Sequence, residues 1–296
     1  MHIDGLLLLN KPKGISSTGC LNKIKKHFKL KKIGHGGTLD PLAKGLLLVF
    51  IGQATKLSPF LMHTPKTYEG TLELGKTSPS YDLGTEVTTM GNWENITPEQ
   101  VKEEIQAWEN LTEQEVPPIS AAKHKGKPLY FLYRKGQTIP TKTKSITIFY
   151  AKATKIEFPF VHFQVKCSAG TYIRSLAHSL GKRLKCGAVL VDLVRTECTP
   201  FVLRQAYDLE TVLSGELSNF VLSIQQALSS WPQISVTPEL ENRIKNGSQL
   251  QIQDVPLPAK ARQKALFLTS NHKPLAIMEC TDDLYPKWKI LRGLWN

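Results

Sequence analysis

Between Phe160 and Leu184 the apolar residues change period, and that change constrains the fold more than any other stretch. Val161, Phe163, Val165 and Cys167 alternate with polar neighbours, the two-residue repeat of a half-buried strand. Ser168-Ala169-Gly170 turns the chain, and Ile173, Leu176, Ala177, Leu180 and Leu184 follow at helical spacing, with Thr171 placed to cap the helix. Residues 67–75 alternate in the same way: Tyr68, Leu72 and Leu74 share one face, while Thr67, Glu69, Thr71 and Glu73 share the other, so Tyr68 points inward. Residues 96–111 read as an amphipathic helix with Thr97 as N-cap, Pro98 at the first helical position and Gln100 closing a capping box. Long strands with intervening helices and no regular strand-helix alternation predict an α+β fold with a mixed, largely antiparallel central sheet and flanking helices. From Trp231-Pro232 onward, apolar runs broken at Asn246-Gly247, Val255-Pro256-Leu257-Pro258 and Lys273-Pro274 predict a small β-rich C-terminal module. It spans 231–296 and leans on a main domain of 1–230.

The chain has 296 residues, 41% of them hydrophobic, enough for a sizeable core. Its longest apolar run, 46–51, falls far short of the ~18 residues of a membrane helix, and 6–9 is too brief for a signal-peptide core. A soluble, non-exported protein without membrane association is expected. Cys20, Cys167, Cys186, Cys198 and Cys280 are odd in number and never spaced as C-x-x-C, which suits reduced thiols in a cytoplasm. No Cys or His pair has zinc-ligand spacing, so no metal site is expected.

The 38 Lys and Arg against 25 Asp and Glu leave a net charge of +13. Residues 1–60 carry ten lysines and two acids, a net of +8 and most of that excess. Lys23, Lys25, Lys26, Lys29, Lys31 and Lys32 flank Ile24, Phe28 and Leu30, as in a short helix whose solvated side neutralises phosphates, or one that is simply a lysine-rich surface. Residues 93–116, with seven glutamates and one lysine, should face away from a polyanion.

Gly34-His35-Gly36-Gly37-Thr38-Leu39-Asp40-Pro41-Leu42-Ala43 is the most unusual segment. It lacks the Lys-Ser/Thr ending of a phosphate loop and the helix-opening context of a dinucleotide fingerprint, whereas Asp40 before Pro41 suits a helix N-cap. Arg174 falls in the first turn of its predicted helix, where the macrodipole disfavours a cation by roughly 0.3–1 kcal/mol, so it calls for an anionic partner elsewhere. Tyr68 and Tyr172 are candidates for stacking on a base, or else core and rim tyrosines with bonded hydroxyls.

Taken together, six motifs resemble the TruB family of tRNA pseudouridine synthases in order and spacing. They are Leu9-Asn10-Lys11-Pro12-Lys13-Gly14, the segment around Asp40, Lys66-Thr67-Tyr68, Ser120-Ala121-Ala122-Lys123 with Gly126-Lys127-Pro128-Leu129-Tyr130, Gly170-Thr171-Tyr172-Ile173-Arg174 and Leu193-Val194-Arg195-Thr196. The C-terminal module resembles a PUA-type RNA-binding domain. The resemblance implies a pseudouridine synthase fold and cofactor-free isomerisation of uridine at position 55, in the T-stem-loop of tRNA. It further implies Asp40 as the essential carboxylate, attacking either the uracil ring or ribose C1′, with Arg174 as its companion cation. By the same resemblance Tyr68 stacks on the flipped base and assists proton transfer, His35 takes part in flipping, Tyr172 and Leu193 line the pocket, and Lys11 is structural support. A monomer with no obligatory protein partner is the corresponding expectation.

Gly36, Ile119, Tyr133 and Thr199 depart from the family pattern and bear on loop flexibility and RNA fit. Two other readings stay open: the same chemistry on another RNA, and an RNA-binding or tRNA-folding protein in which Lys25, Lys26, Lys31 and Lys32 matter more than Asp40.

Overall fold

A computed structural model describes residues 3–255, 260–281 and 285–295. In chain order, the elements that position the site are strand β1 (Gly5–Lys11), helix α1 (Ser17–His27), β2 (Ile33–His35), β3 (Lys44–Ile51), β4 (Lys66–Leu74), α2 (Pro98–Gln106), α3 (Leu129–Arg134), β5 (Ile148–Glu157), β6 (Phe160–Cys167), α4 (Ile173–Arg183) and β7 (Ala188–Cys198). The order across the main sheet is β5-β6-β4-β7-β3-β1, closed at its edge by the short strand Tyr207–Asp208. Every pairing in the strip from β5 to β7 is antiparallel, β7 and β3 run parallel, and β3 and β1 are antiparallel again. The sheet is therefore mixed and largely antiparallel, as the alternating patterns predict.

β1 and β3 carry unbroken apolar runs because both of their faces are covered. Leu6, Leu8, Leu46, Leu48 and Phe50 pack with Leu266, Leu268, Ile277 and Leu294 of the C-terminal module. Leu7, Leu9, Leu47, Val49 and Ile51 pack with Cys20, Leu21 and Ile24 of α1. Each fully buried leucine contributes roughly 1.5–3 kcal/mol. That burial accounts for residues 46–51 without any membrane, and among the described residues no helix is long and apolar enough to cross one.

The C-terminal module is a five-stranded sheet of β8 (Gln233–Ser235), β9 (Leu250–Gln251), β10 (Lys264–Leu268), β11 (Pro274–Cys280) and β12 (Lys287–Gly293). It has its own core around Phe267 and Trp288, and it leans on the main sheet as the sequence predicts. It also holds a helix the sequence reading did not pick out, α5 (Pro238–Lys245), capped by the Thr237 hydroxyl. Of the predicted breaks, Pro256, Leu257 and Pro258 lie outside the described residues.

Three further expectations need correction. The 96–111 helix is shorter: α2 has the expected Thr97 and Gln100 capping box but gives way to a tighter turn at Ala107–Asn110, which lets Trp108 meet Phe163 edge-on at 5.4 Å. Thr171 does not cap α4, because its hydroxyl bonds back to the Ser168 carbonyl at 2.9 Å and the N-cap is Tyr172. No side chain caps α4; the Gln114 side chain instead fixes the N-cap residue itself, accepting from the Tyr172 N–H and donating to the Tyr172 carbonyl. Finally, no helix follows Asp40; the chain turns at Pro41 and enters β3.

Two bulges in β7 set the geometry of the site. Pairing with β4 slips between Leu190 and Asp192, from Leu190 opposite Leu72 to Asp192 opposite Thr71, and slips again between Arg195 and Glu197. The first slip brings Leu193 opposite Gly70 and Arg195 opposite Tyr68. Where β7 meets β3, Gly45 sits at φ +104°, and a Cβ there would stand 2.5 Å from the Arg195 carbonyl oxygen. Gly45→Ala should therefore lower stability by about 1–3 kcal/mol on overpacking alone, beyond its backbone strain. Gly247→Ala, also at positive φ but with nothing within 4 Å of its Cβ, should cost clearly less in the same urea titration.

Candidate active site

Asp40 lies in the segment 36–43 between β2 and β3, which has no regular structure of its own and is held by neighbours. The Ser17 hydroxyl, at the start of α1, accepts from the Leu39 N–H at 2.9 Å and donates to the Leu39 carbonyl at 3.1 Å. Gly14 N–H donates to the Pro41 carbonyl at 2.8 Å. Lys11, fully buried, donates its ammonium to the carbonyls of Pro12, Ile15 and Pro41 at 2.9, 2.7 and 3.4 Å. Burial pulls its pKa below the ordinary lysine value, so these carbonyls are what keep the charge tolerable. Motif residues far apart in sequence thus hold the loop on both sides of Asp40.

The anionic partner that Arg174 calls for is double. Its Nε lies 2.9 Å from Asp40 Oδ2 and 3.5 Å from Asp82 Oδ2, with Arg174 only 6% exposed and Asp40 42%. The Nε–H is aimed at neither oxygen well enough for a directed hydrogen bond, so these are ion pairs by proximity. Direction comes from the other nitrogens: one Nη donates to the Ser80 carbonyl at 2.7 Å, and both reach the Ile119 carbonyl at 3.3 and 3.4 Å. Asp82 is itself fixed, its Oδ1 accepting from the Ser80 hydroxyl at 2.6 Å and the Gly84 N–H at 2.9 Å. Two carboxylates and the backbone carbonyls offset the unfavourable dipole position of Arg174. Stripping both acids from so buried a cation would cost several kcal/mol.

Across the sheet, the guanidinium of Arg195 is fully buried. It donates to the Leu46 carbonyl at 2.7 Å and to the Gly37 carbonyl at 3.0 Å, and its charge lies near Tyr68. One side chain therefore ties the start of the Asp40 loop to strand β3 beside Tyr68. Burial pushes the Tyr68 phenol up from about 10 to about 12, a rise that the nearby Arg195 charge only partly opposes. At neutral pH Tyr68 is a hydrogen-bond donor and not a standing base.

Asp40, Tyr68, Tyr172, Arg174 and Leu193 all line one cavity of about 320 Å³, the size of a small-ligand pocket. His35 does not. It lies on β2, half-buried beside Val49, and burial together with Arg195 lowers its pKa, keeping it neutral at pH 7. Lys25 and Lys26 occupy the last turn of α1, and Lys31 and Lys32 the stretch before β2, all exposed. Among the described residues no group of three or more His, Cys, Asp or Glu converges as for a metal ion.

The sequence reading missed several residues of the site. Asp82 could have been noticed from Ser80-Tyr81-Asp82-Leu83-Gly84, a turn pattern, but nothing local links it to Arg174. Arg195 follows Leu193 and Val194 in β7, but Thr196 and Glu197 come next, so no local pattern marks it as buried. Lys66, whose ammonium is spent on the carbonyls of Met62 and Thr64, is pushed down to about 8 by burial in the cavity wall. Lys144 reaches the cavity rim from a long excursion whose ends pair as Glu113–Glu115 with Thr143–Ser145. That excursion includes α3, where Arg134 sits over the Tyr130 ring and Lys135 over the Phe131 ring, at 5.7 and 4.6 Å, with both rings partly exposed.

Residues 25–173 match the N-terminal domain of the TruB family pseudouridylate synthases. A protein of Oleidesulfovibrio alaskensis named tRNA pseudouridine synthase B is 46% identical over 301 aligned positions, covering 99% of this chain and 96% of that protein. One of the same name from Nitratidesulfovibrio vulgaris strain Hildenborough is 44% identical, covering 99% and 98%. Among solved structures, a chain of an H/ACA RNP bound to a substrate RNA containing 2′-deoxyuridine superposes with a TM-score of 0.71 at 21% identity, covering 99% of this chain and 85% of that one. At that identity the likeness speaks to the fold.

The raised Tyr68 pKa has a direct readout. In an ultraviolet pH titration one of the eight tyrosines should ionise only near pH 12, and Tyr68→Phe should remove that late step. Because the folded-state pKa is raised, the linked stability is fully present below about pH 10 and lost as pH rises toward about 12. A late step that survives Tyr68→Phe would belong to another tyrosine.

Proposed function

The chain belongs to the TruB family of pseudouridylate synthases, and from that premise we propose how it isomerises uridine to pseudouridine in tRNA. The observation that carries the reading is the cavity in which Asp40, ion-paired to Arg174, and the Tyr68 hydroxyl converge. The target is uridine 55 in the T-stem-loop. A base inside a folded loop is extruded at a cost of a few kcal/mol, regained by stacking and by insertion into the pocket. Tyr68 takes the flipped uracil on its ring face, Leu193 and Tyr172 close the apolar walls, and His35 contacts the RNA during flipping.

Asp40 then supplies the nucleophilic carboxylate, bonding either to ribose C1′ or to C6 of the ring. Along both routes the bond from C1′ to N1 breaks, the base turns, C5 bonds to C1′, the bond to Asp40 breaks and returns the free carboxylate, and C5 gives up its proton while N1 gains one. Substrate and product are isomers, so the balance calls for no redox partner and no energy source. Arg174 holds Asp40 ionised and oriented in a partly desolvated site. Tyr68, a donor beside Arg195, is placed to hydrogen-bond the base as its protons are exchanged.

Lys25, Lys26, Lys31 and Lys32 provide phosphate contacts, the aromatic and basic residues of α3 face the loop nucleotides, and the module of 231–296 adds RNA contacts as a PUA-like domain. The protein acts as a monomer in the cytoplasm without an obligatory protein partner. Family membership at this identity favours tRNA over other RNAs, and binding without turnover would leave the pairing of Asp40 with the buried Arg174 without a purpose.

Tritium release from C5-labelled uridine in a tRNA transcript, with a chelator present, should be rapid for the unmodified enzyme and abolished in Asp40→Asn, while the variant still binds the transcript. Absence of release by a folded, tRNA-binding enzyme would overturn the assigned reaction. Affinity for tRNA should fall steeply with salt, with a log-log slope near 0.9 per phosphate neutralised. Converting Lys25, Lys26, Lys31 and Lys32 to Gln should flatten that slope and leave the saturated rate within about twofold; an unchanged slope would remove these lysines from the interface.

A further inference from the structure

Asp82 serves Arg174 only while its loop keeps an unfavourable shape. Tyr81, the residue before it, has φ +65°, a left-handed conformation that bulky side chains rarely adopt. Its backbone is pinned on both sides: the Tyr81 N–H donates to the Ser78 carbonyl at 3.1 Å, and the Leu190 N–H donates to the Tyr81 carbonyl at 3.0 Å. The Ser78 hydroxyl donates to the Asp82 carbonyl at 2.6 Å. What fixes the side chain is a ring. Tyr81 stacks on His178 with centroids 3.8 Å apart and planes 10° from parallel.

His178 lies four residues after Arg174 on α4, so the two share one helix face on successive turns. Consecutive loop residues therefore dock on consecutive turns, Asp82 against Arg174 and Tyr81 against His178. Burial, reinforced by Lys182 and opposed by Glu115, lowers the His178 pKa to about 4, so the imidazole meets the phenol ring uncharged at neutral pH. The stack is not locked inside a core. It borders a second cavity of about 270 Å³, also lined by Glu115, Thr143 and Lys182, into which an unstacked Tyr81 ring could move.

We propose that Tyr81 and His178 are positioning residues for the reaction: their stack holds the Ser78 to Asp82 turn in the strained form that presents the Asp82 carboxylate and the Ser80 carbonyl to Arg174, and so holds Arg174 beside Asp40. This rests on the reading that the Asp40 and Arg174 pair carries turnover. Neither residue touches the RNA. Releasing the stack frees the left-handed residue to relax, Asp82 leaves Arg174, and the guanidinium keeps one carboxylate where it had two.

The test uses the full chain in two assays. In single-turnover tritium release with enzyme in excess, Tyr81→Ala and His178→Ala should each slow the saturated rate about tenfold or more, with the transcript Kd changed less than about twofold. Tyr81→Phe, which keeps the ring, should restore the rate. In an Asp82→Asn background the two alanine substitutions should add less than about a further twofold, because they act through Asp82. The second assay needs no RNA: the Nε–H resonance of Arg174, assigned by its loss in Arg174→Lys, should move in the same direction in Tyr81→Ala as in Asp82→Asn. An unmoved resonance, a rate loss that multiplies fully with Asp82→Asn, a loss confined to Kd, or damage by Tyr81→Phe equal to that by Tyr81→Ala would each overturn the proposal. An unmodified enzyme that released no tritium while the resonance moved would sink the functional reading and leave the positioning role standing.

Discussion

A guanidinium buried in a protein must be met by anions or carbonyl oxygens, and in this chain meeting that demand assembles the site. Arg174 draws together Asp40 from the loop before β3, Asp82 and Ser80 from the turn after β4, and Ile119 from the long excursion. An apolar residue at position 174 would leave two carboxylates facing each other across the gap, so the acids and the arginine are tolerable only together. That mutual dependence ties the Asp40 loop to the helix face.

A second buried guanidinium solves a different problem. The junction of β7 and β3 is short, with Val194 opposite Lys44 and Arg195 opposite Gly45, yet residues of one cavity are held across it. Arg195 spans it, bonding β3 at Leu46 and the Asp40 loop at Gly37, with Tyr68 on β4 beside its charge. The bulge after Leu190 makes this possible, since without the one-residue slip Arg195 would stand opposite Thr67 and Tyr68 would lose its neighbour. Here the bulge re-aims a side chain at a functional site, and Gly45 allows the backbones to approach.

The charge distribution separates chemistry from docking. Inside the cavity Lys66, Arg174 and Arg195 are met by acids or carbonyls, whereas the lysines at the end of α1 and the stretch that follows it stand exposed. The start of α1 touches the Asp40 loop through Ser17, whereas its lysine-bearing end faces solvent. One helix therefore connects the basic surface to the segment that bears Asp40. The C-terminal sheet shares the Leu6, Leu46 and Phe50 core, so it is carried on the strands that frame the site.

The sequence by itself determined many of the elements and the residues that meet in the cavity. Phe160–Cys167, the inward Tyr68 and the Thr97 capping box follow from short-range periodicity and local hydrogen bonding, which a linear pattern records directly. Arg174 could be recognised as needing an anion because a helix dipole is a local property. Local pattern could not name its anions: the family resemblance supplied Asp40 and nothing supplied Asp82, since both lie more than ninety residues away and their meeting depends on how sheet and helix pack. Thr171 misled because a hydroxyl able to cap a helix can equally close its own turn, while Gln114, from a distant strand, fixes the Tyr172 backbone at the helix start. Asp40 before Pro41 misled likewise, because an Asp-Pro pair suits a turn as well as a helix start, and only the pull of β3 toward β1 selects the turn. Only the tertiary structure decided the slip in β7, the clamp of Arg195 and the stack of Tyr81 on His178, because each is a pairing between segments whose register no local preference fixes.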